Sequence, residues 1–173
     1  NMDCLDPNVP LDLYDPKWKI YSRNPVMPPH YAGPDSKIEN SMVAEGCEIE
    51  GTVINSVLFS GVTVEKGAVI KDSVVMRNTY FKEGATVNYS IIDAGAYIGA
   101  GCTVGEEKAE GVELAVLGNG VKLHDGDIIE AGEIIDNETF ARREEKLIKK
   151  ESPFIIKYDK SILVNVLERE VAE

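Results

Sequence analysis

Ile38-Glu-Asn-Ser-Met42, Val53-Ile-Asn-Ser-Val57, Ile70-Lys-Asp-Ser-Val74 and Val87-Asn-Tyr-Ser-Ile91 are four versions of one pentapeptide, apolar-x-Asn/Asp/Tyr-Ser-apolar. Their serines, Ser41, Ser56, Ser73 and Ser90, stand 15, 17 and 17 residues apart. Between them apolar residues return every five or six positions: Leu58, Val64, Ile70, Val75, Phe81, Val87, Ile92, Ile98 and Val104. The beat resumes, strictly in sixes, at Leu117, Leu123, Ile129 and Ile135. An amphipathic helix needs a period near 3.6, and a solvent-backed strand needs strict alternation. A period of six with about three beats per unit describes the stacked coils of a hexapeptide parallel β-helix.

The residues two before each beat test this frame. They are Ser41, Cys47, Gly51, Ser56, Val62, Ala68, Ser73, Thr79, Ala85, Ser90, Ala96 and Cys102, and all are small. Residues two apart on a strand share a face. Each side of a coil therefore presents one large apolar and one small residue to a narrow interior. Gly46, Gly61, Gly67, Gly84, Gly95 and Gly101 lie one position further back, where the chain must turn a corner.

Charge and cysteine content exclude whole classes of function. With 30 acidic against 18 basic residues, the formal charge is −12. That balance argues against nucleic acid or an anionic membrane as partner. No apolar run approaches the ~20 residues of a membrane span, and no signal-peptide pattern opens the sequence. Cys47 and Cys102 occupy small inward slots and read as buried hydrophobes in a reducing, cytoplasmic setting. Cys4 lies outside the repeat, and no Cys/His spacing matches a zinc site.

Three regions follow. Residues 1–37 carry Pro16, Pro25, Pro28, Pro29 and Pro34 and read as an extended connector from a preceding domain, as in a piece cut from a longer protein. Residues 38–136 are the solenoid, interrupted at 105–113 by a charged stretch expected to bulge as a loop. Residues 137–173 form a tail. A helix is expected to start at Asn137-Glu-Thr139, and apolar stripes at Phe154–Ile156 and Ile162–Val171 suit a cap or an interface. One anomaly stands inside the repeat. In the last coil the positions two before the beat are Val121, Asp127 and Glu133, so either that turn is flared or the frame slips there.

No nucleophile–base–orienter set and no phosphate-binding glycine loop is recognisable. His30 sits in the connector beside Pro28-Pro29. Basic residues cluster before the first coil as Lys17, Lys19, Arg23 and Lys37, with none between Lys37 and Lys66. Arg23, His30 and Lys37 are candidate ligands for an anionic effector, Arg23 foremost because its planar fork matches phosphate oxygens. His124 follows an inward beat and so projects from the outer edge of a coil, where an imidazole can serve as general base.

Leu11-Asp-Leu-Tyr-Asp-Pro-Lys-Trp-Lys-Ile-Tyr21, Asn40-Ser-Met-Val-Ala-Glu-Gly-Cys47, Asn55-Ser-Val-Leu-Phe59 and Asp72-Ser-Val-Val-Met76 together resemble the C-terminal part of the glucose-1-phosphate adenylyltransferases, over about residues 1–135. The resemblance implies a left-handed coil, a sense that composition cannot supply. It implies a parent enzyme that joins ATP and glucose 1-phosphate into ADP-glucose and pyrophosphate for glycogen synthesis. Mg²⁺ and ATP would be held by a catalytic domain outside this sequence, and no cofactor by the sequence itself. It implies a non-catalytic module for oligomerisation, a homotetramer by resemblance, which borders its own catalytic domain and a sugar-phosphate effector site. Two alternatives stay open. One is a hexapeptide-repeat acyltransferase using His124, with a coenzyme A groove between the subunits of a trimer. The other is the C-terminal domain of another sugar-nucleotide pyrophosphorylase.

Overall fold

The computed structural model describes residues 2–9, 15–19 and 26–143. It divides into two units, Asn1–Asn137 and Glu138–Glu173. Of the second, only the helical residues up to 143 are described, continuing a helix over 137–143 whose start matches the expected Asn137. Arg23 and the apolar stripes of the tail lie outside the described residues.

The first unit is a parallel β-solenoid of about six turns, the left-handed hexapeptide β-helix. Three parallel sheets form its sides. The first contains Tyr31–Ala32, Glu48–Ile49, Thr63–Val64, Tyr80–Phe81 and Tyr97–Ile98. The second contains Lys37–Glu39, Thr52–Ile54, Val69–Lys71, Thr86–Asn88, Thr103–Val104 and Ile128–Ile129. The third contains Met42–Val43, Val57–Leu58, Val74–Val75, Ser90–Ile92, Ala115–Leu117 and Ile134–Ile135. The solenoid begins before the expected Ile38. Tyr31–Ala32 already pairs with Glu48–Ile49, so the first side of the first coil lies inside the proline-rich stretch. Its sequence gives no warning, because a strand of two residues contains no period.

Every apolar beat from Ile49 to Ile135 is at most 3% exposed. Of the small positions, Cys47, Ser56, Val62, Ala68, Ser73, Thr79, Ala85, Ser90, Ala96 and Cys102 are at most 1% exposed, and Gly51 is buried. Ser41, at the open end, is half-buried. Gly51 shows why size matters there: a Cβ would fall 2.4 Å from the Ala68 carbonyl oxygen and 2.7 Å from that of Glu65.

The pentapeptide is the corner between the second and third sheets. Asn40, Asn55, Asp72 and Tyr89 take φ of 40°, 46°, 51° and 40°, a left-handed turn that short polar side chains tolerate best. Each following serine then serves two backbones. The Ser73 hydroxyl donates to the Lys71 carbonyl at 2.7 Å and accepts the Ser90 N–H at 3.1 Å. Ser56 and Ser41 repeat the arrangement one and two coils before. Beside the serines, Asn40 Nδ2 donates to Asn55 Oδ1 at 3.0 Å, and Asn55 Nδ2 donates to Asp72 Oδ1. The motif is thus a hydrogen-bonded ladder up one edge of the prism. Ser73→Ala deletes the acceptor of a buried N–H and is expected to destabilise by about 1–3 kcal/mol, measured as a lower urea midpoint with unchanged slope.

The acidic anomaly resolves without a slip of frame. Thr103 and Val104 pair in register with Ile128 and Ile129, so Asp127 and Glu133 do stand at the inward positions. In earlier coils the N–H after each inward beat donates to the next coil, as Lys82 to the Ile98 carbonyl and Gly105 to the Ile129 carbonyl. Among the described residues the last coil has no such successor. There Asp127 Oδ2 accepts the His124 N–H at 2.8 Å, and Glu133 Oε2 accepts the Glu130 N–H at 2.9 Å. Both carboxylates remain partly exposed. They replace the missing carbonyls, as side-chain caps do at a helix terminus.

The loop expected at 105–113 is present, exposed from Glu106 to Gly111, before Ala115–Leu117 re-enters the third sheet. Glu107 pairs with Lys71 at 2.9 Å, and the Lys108 ammonium lies 5.5 Å from the Tyr89 ring centre. The outward columns of the three sheets differ in chemistry. The first includes Glu48, Tyr80, Tyr97 and Lys122. The second runs Lys37, Thr52, Val69, Thr86, Thr103 and Ile128. The third is apolar at every coil.

Candidate functional site

Two regions carry the residues singled out by sequence. At the first-coil end, a groove of about 500 Å³ is lined by His30, Ile38, Met42, Val57 and Phe59, among others. His30 is exposed at its rim. Lys37 does not line this groove. It extends from the second sheet and pairs with Glu39 at 3.1 Å, both side chains being about half exposed. Asp35 is engaged by Lys66 at 3.4 Å. His30 and Lys37 are therefore not brought together as one anion site, and the groove that His30 borders is chiefly apolar.

His124 lies at the opposite end, on the outside of the last coil as its spacing predicts. Its side chain is 68% exposed, with Nδ1 3.8 Å from Asp127 Oδ2. That separation is beyond hydrogen-bond range, and Asp127 already accepts the His124 backbone N–H. The carboxylate caps a turn and is not aimed to orient the imidazole. Gly99 allows this turn to lie close: a Cβ there would meet the His124 carbonyl carbon at 2.6 Å.

A third group went unread in the sequence. On the outer face of the first sheet, Tyr80 and Tyr97 stack with ring centres 5.5 Å apart and planes at 11°. The Tyr80 hydroxyl donates to Glu65, whose other oxygen accepts the Glu83 N–H at 2.9 Å. The hydrogen bond to Glu65, with burial behind it, pushes the Tyr80 phenol above its ordinary range. Lys82 lies 3.7 Å from Asp125, whose negative charge raises the ammonium's pKa. The signal was available: Tyr80 and Tyr97 stand 17 residues apart, the same coil length as Ser73 and Ser90. The tyrosine pair braces two coils from outside, and the serines brace them at a corner.

Cys47 and Cys102 are buried as expected, and burial pushes both thiols upward in pKa. Cys47 Sγ contacts the Phe59 carbonyl at 3.1 Å, and Cys102 Sγ the His124 carbonyl at 2.9 Å. Because the thiolate is the reactive form, a disulfide reagent at neutral pH is expected to titrate Cys4 quickly. The other two should react only at the rate of unfolding, and three fast equivalents would contradict their placement. Among the described residues no group of three or more His, Cys, Asp or Glu is placed to hold a metal ion. No described helix is long and apolar enough to cross a membrane.

Comparison with known proteins agrees with this geometry. The glucose-1-phosphate adenylyltransferase of Clostridium perfringens (strain SM101) is 54% identical over 79 residues, which is 46% of this chain and 20% of that protein. The Geobacillus stearothermophilus enzyme of the same name is 56% identical over 71 residues, 41% of this chain and 18% of its own length. The matched segment thus spans about one fifth of these relatives. Among solved structures, one described as an acetyltransferase from Desulfovibrio desulfuricans G20 superposes with a TM-score of 0.50 at 13% identity. It covers 61% of this chain and 24% of that one, a likeness of fold. A family profile described as GlmU-like, C-terminal hexapeptide matches residues 29–121, more than half of the 173. Its first residue lies just before Tyr31, where the first coil begins. With this match added to the six stacked turns, the chain belongs to the GlmU-like C-terminal hexapeptide family.

Proposed function

We propose that this chain is the non-catalytic C-terminal module of a glucose-1-phosphate adenylyltransferase, serving assembly and regulation of a cytoplasmic enzyme that makes ADP-glucose and pyrophosphate. The observation that carries the reading is the 54% identity over 79 residues to a protein of that name. The physical character of the chain supports it. Its buried hydroxyls hold coils together, as in the serine ladder, and among the described residues no Asp, Glu, Lys, Arg or His is buried. Mg²⁺ and ATP belong, in this reading, to a catalytic domain that the described residues do not include. The parent is a homotetramer, with a sugar-phosphate effector bound near the start of the solenoid.

The test is a graft. This chain replaces the matched C-terminal segment of the Geobacillus stearothermophilus enzyme, and pyrophosphate release from ATP and glucose 1-phosphate is followed together with assembled mass. Both are expected to be retained, while the chain alone releases no pyrophosphate. An inactive or unassembled chimera, or turnover by the chain alone, would overturn the reading. In the chimera, Arg23→Ala is expected to weaken sugar-phosphate activation several-fold at unchanged basal turnover. Lys37→Ala should have little effect, because Glu39 already neutralises that ammonium. Acyl transfer, the alternative built on His124, has against it the 3.8 Å gap to Asp127 and the latter's engagement elsewhere. An acetyl-coenzyme A assay comparing His124→Ala with the parent decides it.

A further inference from the structure

The outward column of the first sheet runs Tyr31, Glu48, Thr63, Tyr80, Tyr97 and Lys122. Thr63 is its one small member. It stands between Glu48 and Tyr80, whose strands are two spacings, about 9–10 Å, apart. This step in size opens a cavity of about 190 Å³, bordered by Tyr31, Glu48, Glu50, Thr63, Glu65 and Tyr80 among others. One wall is rigid. Tyr97 stacks on Tyr80 without bordering the cavity, and the Tyr80 hydroxyl is tied to Glu65. The Tyr80 ring is thus held at its edge and on one face, and its other face looks into the gap. Glu48 and Glu50 flank the inward Ile49, so both project from the outer face, and both are exposed. Among the described residues no ion pair joins either of them. Lys66 is engaged by Asp35, and Lys82 by Asp125.

We propose that this cavity binds the planar head of a guanidinium compound, stacked on Tyr80 and hydrogen-bonded to Glu48 and Glu50. Three properties select that class. The first is charge. Carboxylates on the rim repel phosphate and attract a cation, so this is not a place for the sugar-phosphate effector. The second is size. Pockets that enclose a whole drug-sized ligand run to about 300–1,000 Å³, so this smaller one suits a single flat head group with its stem left in solvent. The third is the aromatic wall. A guanidinium is flat and weakly hydrated, so it stacks on a ring while its fork donates to carboxylates in its own plane. An alkylammonium is compact and strongly hydrated, and it forfeits the stack. Because Tyr80 is already fixed from behind and at its hydroxyl, binding orders no further ring.

The test titrates n-butylguanidine into the full chain and follows the tyrosine ring signals by NMR. Saturable shifts of the Tyr80 ring are expected. n-Butylamine carries the same charge without the planar fork and should bind about tenfold more weakly. Glu50→Gln removes one acceptor and should weaken butylguanidine about tenfold, with an unchanged melting temperature. Thr63→Tyr fills the gap and should abolish binding. Glu106→Gln, which removes the same charge from the exposed loop, should bind like the parent. Absence of saturable binding overturns the proposal, as does equal affinity for the amine and the guanidine. Equal losses from Glu50→Gln and Glu106→Gln would show only diffuse attraction to an acidic chain, and overturn it too. So would a Thr63→Tyr variant that melts like the parent and still binds. None of these outcomes touches the pyrophosphate assay, so this inference and the proposed function fail separately.

Discussion

Ile70→Asp is expected to abolish a cooperative thermal transition near the parent's. Ile70 is fully buried in the second sheet, hydrogen-bonded between the preceding and following coils. Replacing it removes about 2–3 kcal/mol of apolar burial. It also places a carboxylate where the neighbouring inward residues are Val53 and Val87, with no cation to meet it. An unpaired buried charge costs several kcal/mol more even after its pKa rises to neutralise it. The sum rivals the ~5–15 kcal/mol that hold an ordinary domain together. Lys66→Asp is the control. Its side chain is 72% exposed and makes one exposed ion pair, with Asp35. The change should cost under about 1 kcal/mol. Circular-dichroism melts of the two variants check the frame, and equal losses would reject it.

Gly105→Ala carries the second large effect, for a different reason. Gly105 closes the second side of the fifth coil just as the chain leaves for the charged loop. Its φ is +69°, and a Cβ would fall 2.2 Å from the Asn88 carbonyl oxygen and 2.6 Å from Ser90 Oγ. A left-handed conformation costs a non-glycine residue about 1–2 kcal/mol. The overlap is with backbone and with the top of the serine ladder, neither of which can swing aside, and such overpacking adds about 1–3 kcal/mol. A loss of about 2–5 kcal/mol is expected by urea denaturation. Gly111→Ala, in the loop itself, has a similar φ of +84° but open space around it, so only the conformational part should appear.

These two positions show what a sequence of this kind makes legible. Ile70 is readable because a solenoid interior is one-dimensional: the same inward slot recurs at Val53, Ile70 and Val87, and recurrence is a sequence property. Gly105 falls outside the beat, and its role comes from the carbonyl of Asn88 passing 17 residues earlier in the chain. Corner glycines were readable for the same reason as the beats, and Gly46 through Gly101 all have φ between 65° and 76°. What escaped was chemistry set by stacking direction. The serines were seen as a spacing marker, yet their hydroxyls are what carry hydrogen bonds from coil to coil. Of the candidate site, His124 was placed correctly on an outer edge. The separation of His30, at the groove, from Lys37, on the second sheet, was not visible to reasoning along the chain, because two residues seven apart can lie on different sides of a triangle.

The carboxylates of Asp127 and Glu133 have a meaning beyond local hydrogen bonding. A solenoid has no intrinsic length, since any coil can template the next. Here the terminus is written into two side chains that occupy the slots a further coil would need small and neutral. A 17-residue coil inserted between Ser73 and Ser90 should therefore be accepted as a seventh turn, with both ends unchanged. The same coil added after Ile135 would have to bury two carboxylates that are now partly exposed. In this chain the ruler and the stop are separate: periodicity sets the pitch, and a pair of acids sets where counting ends.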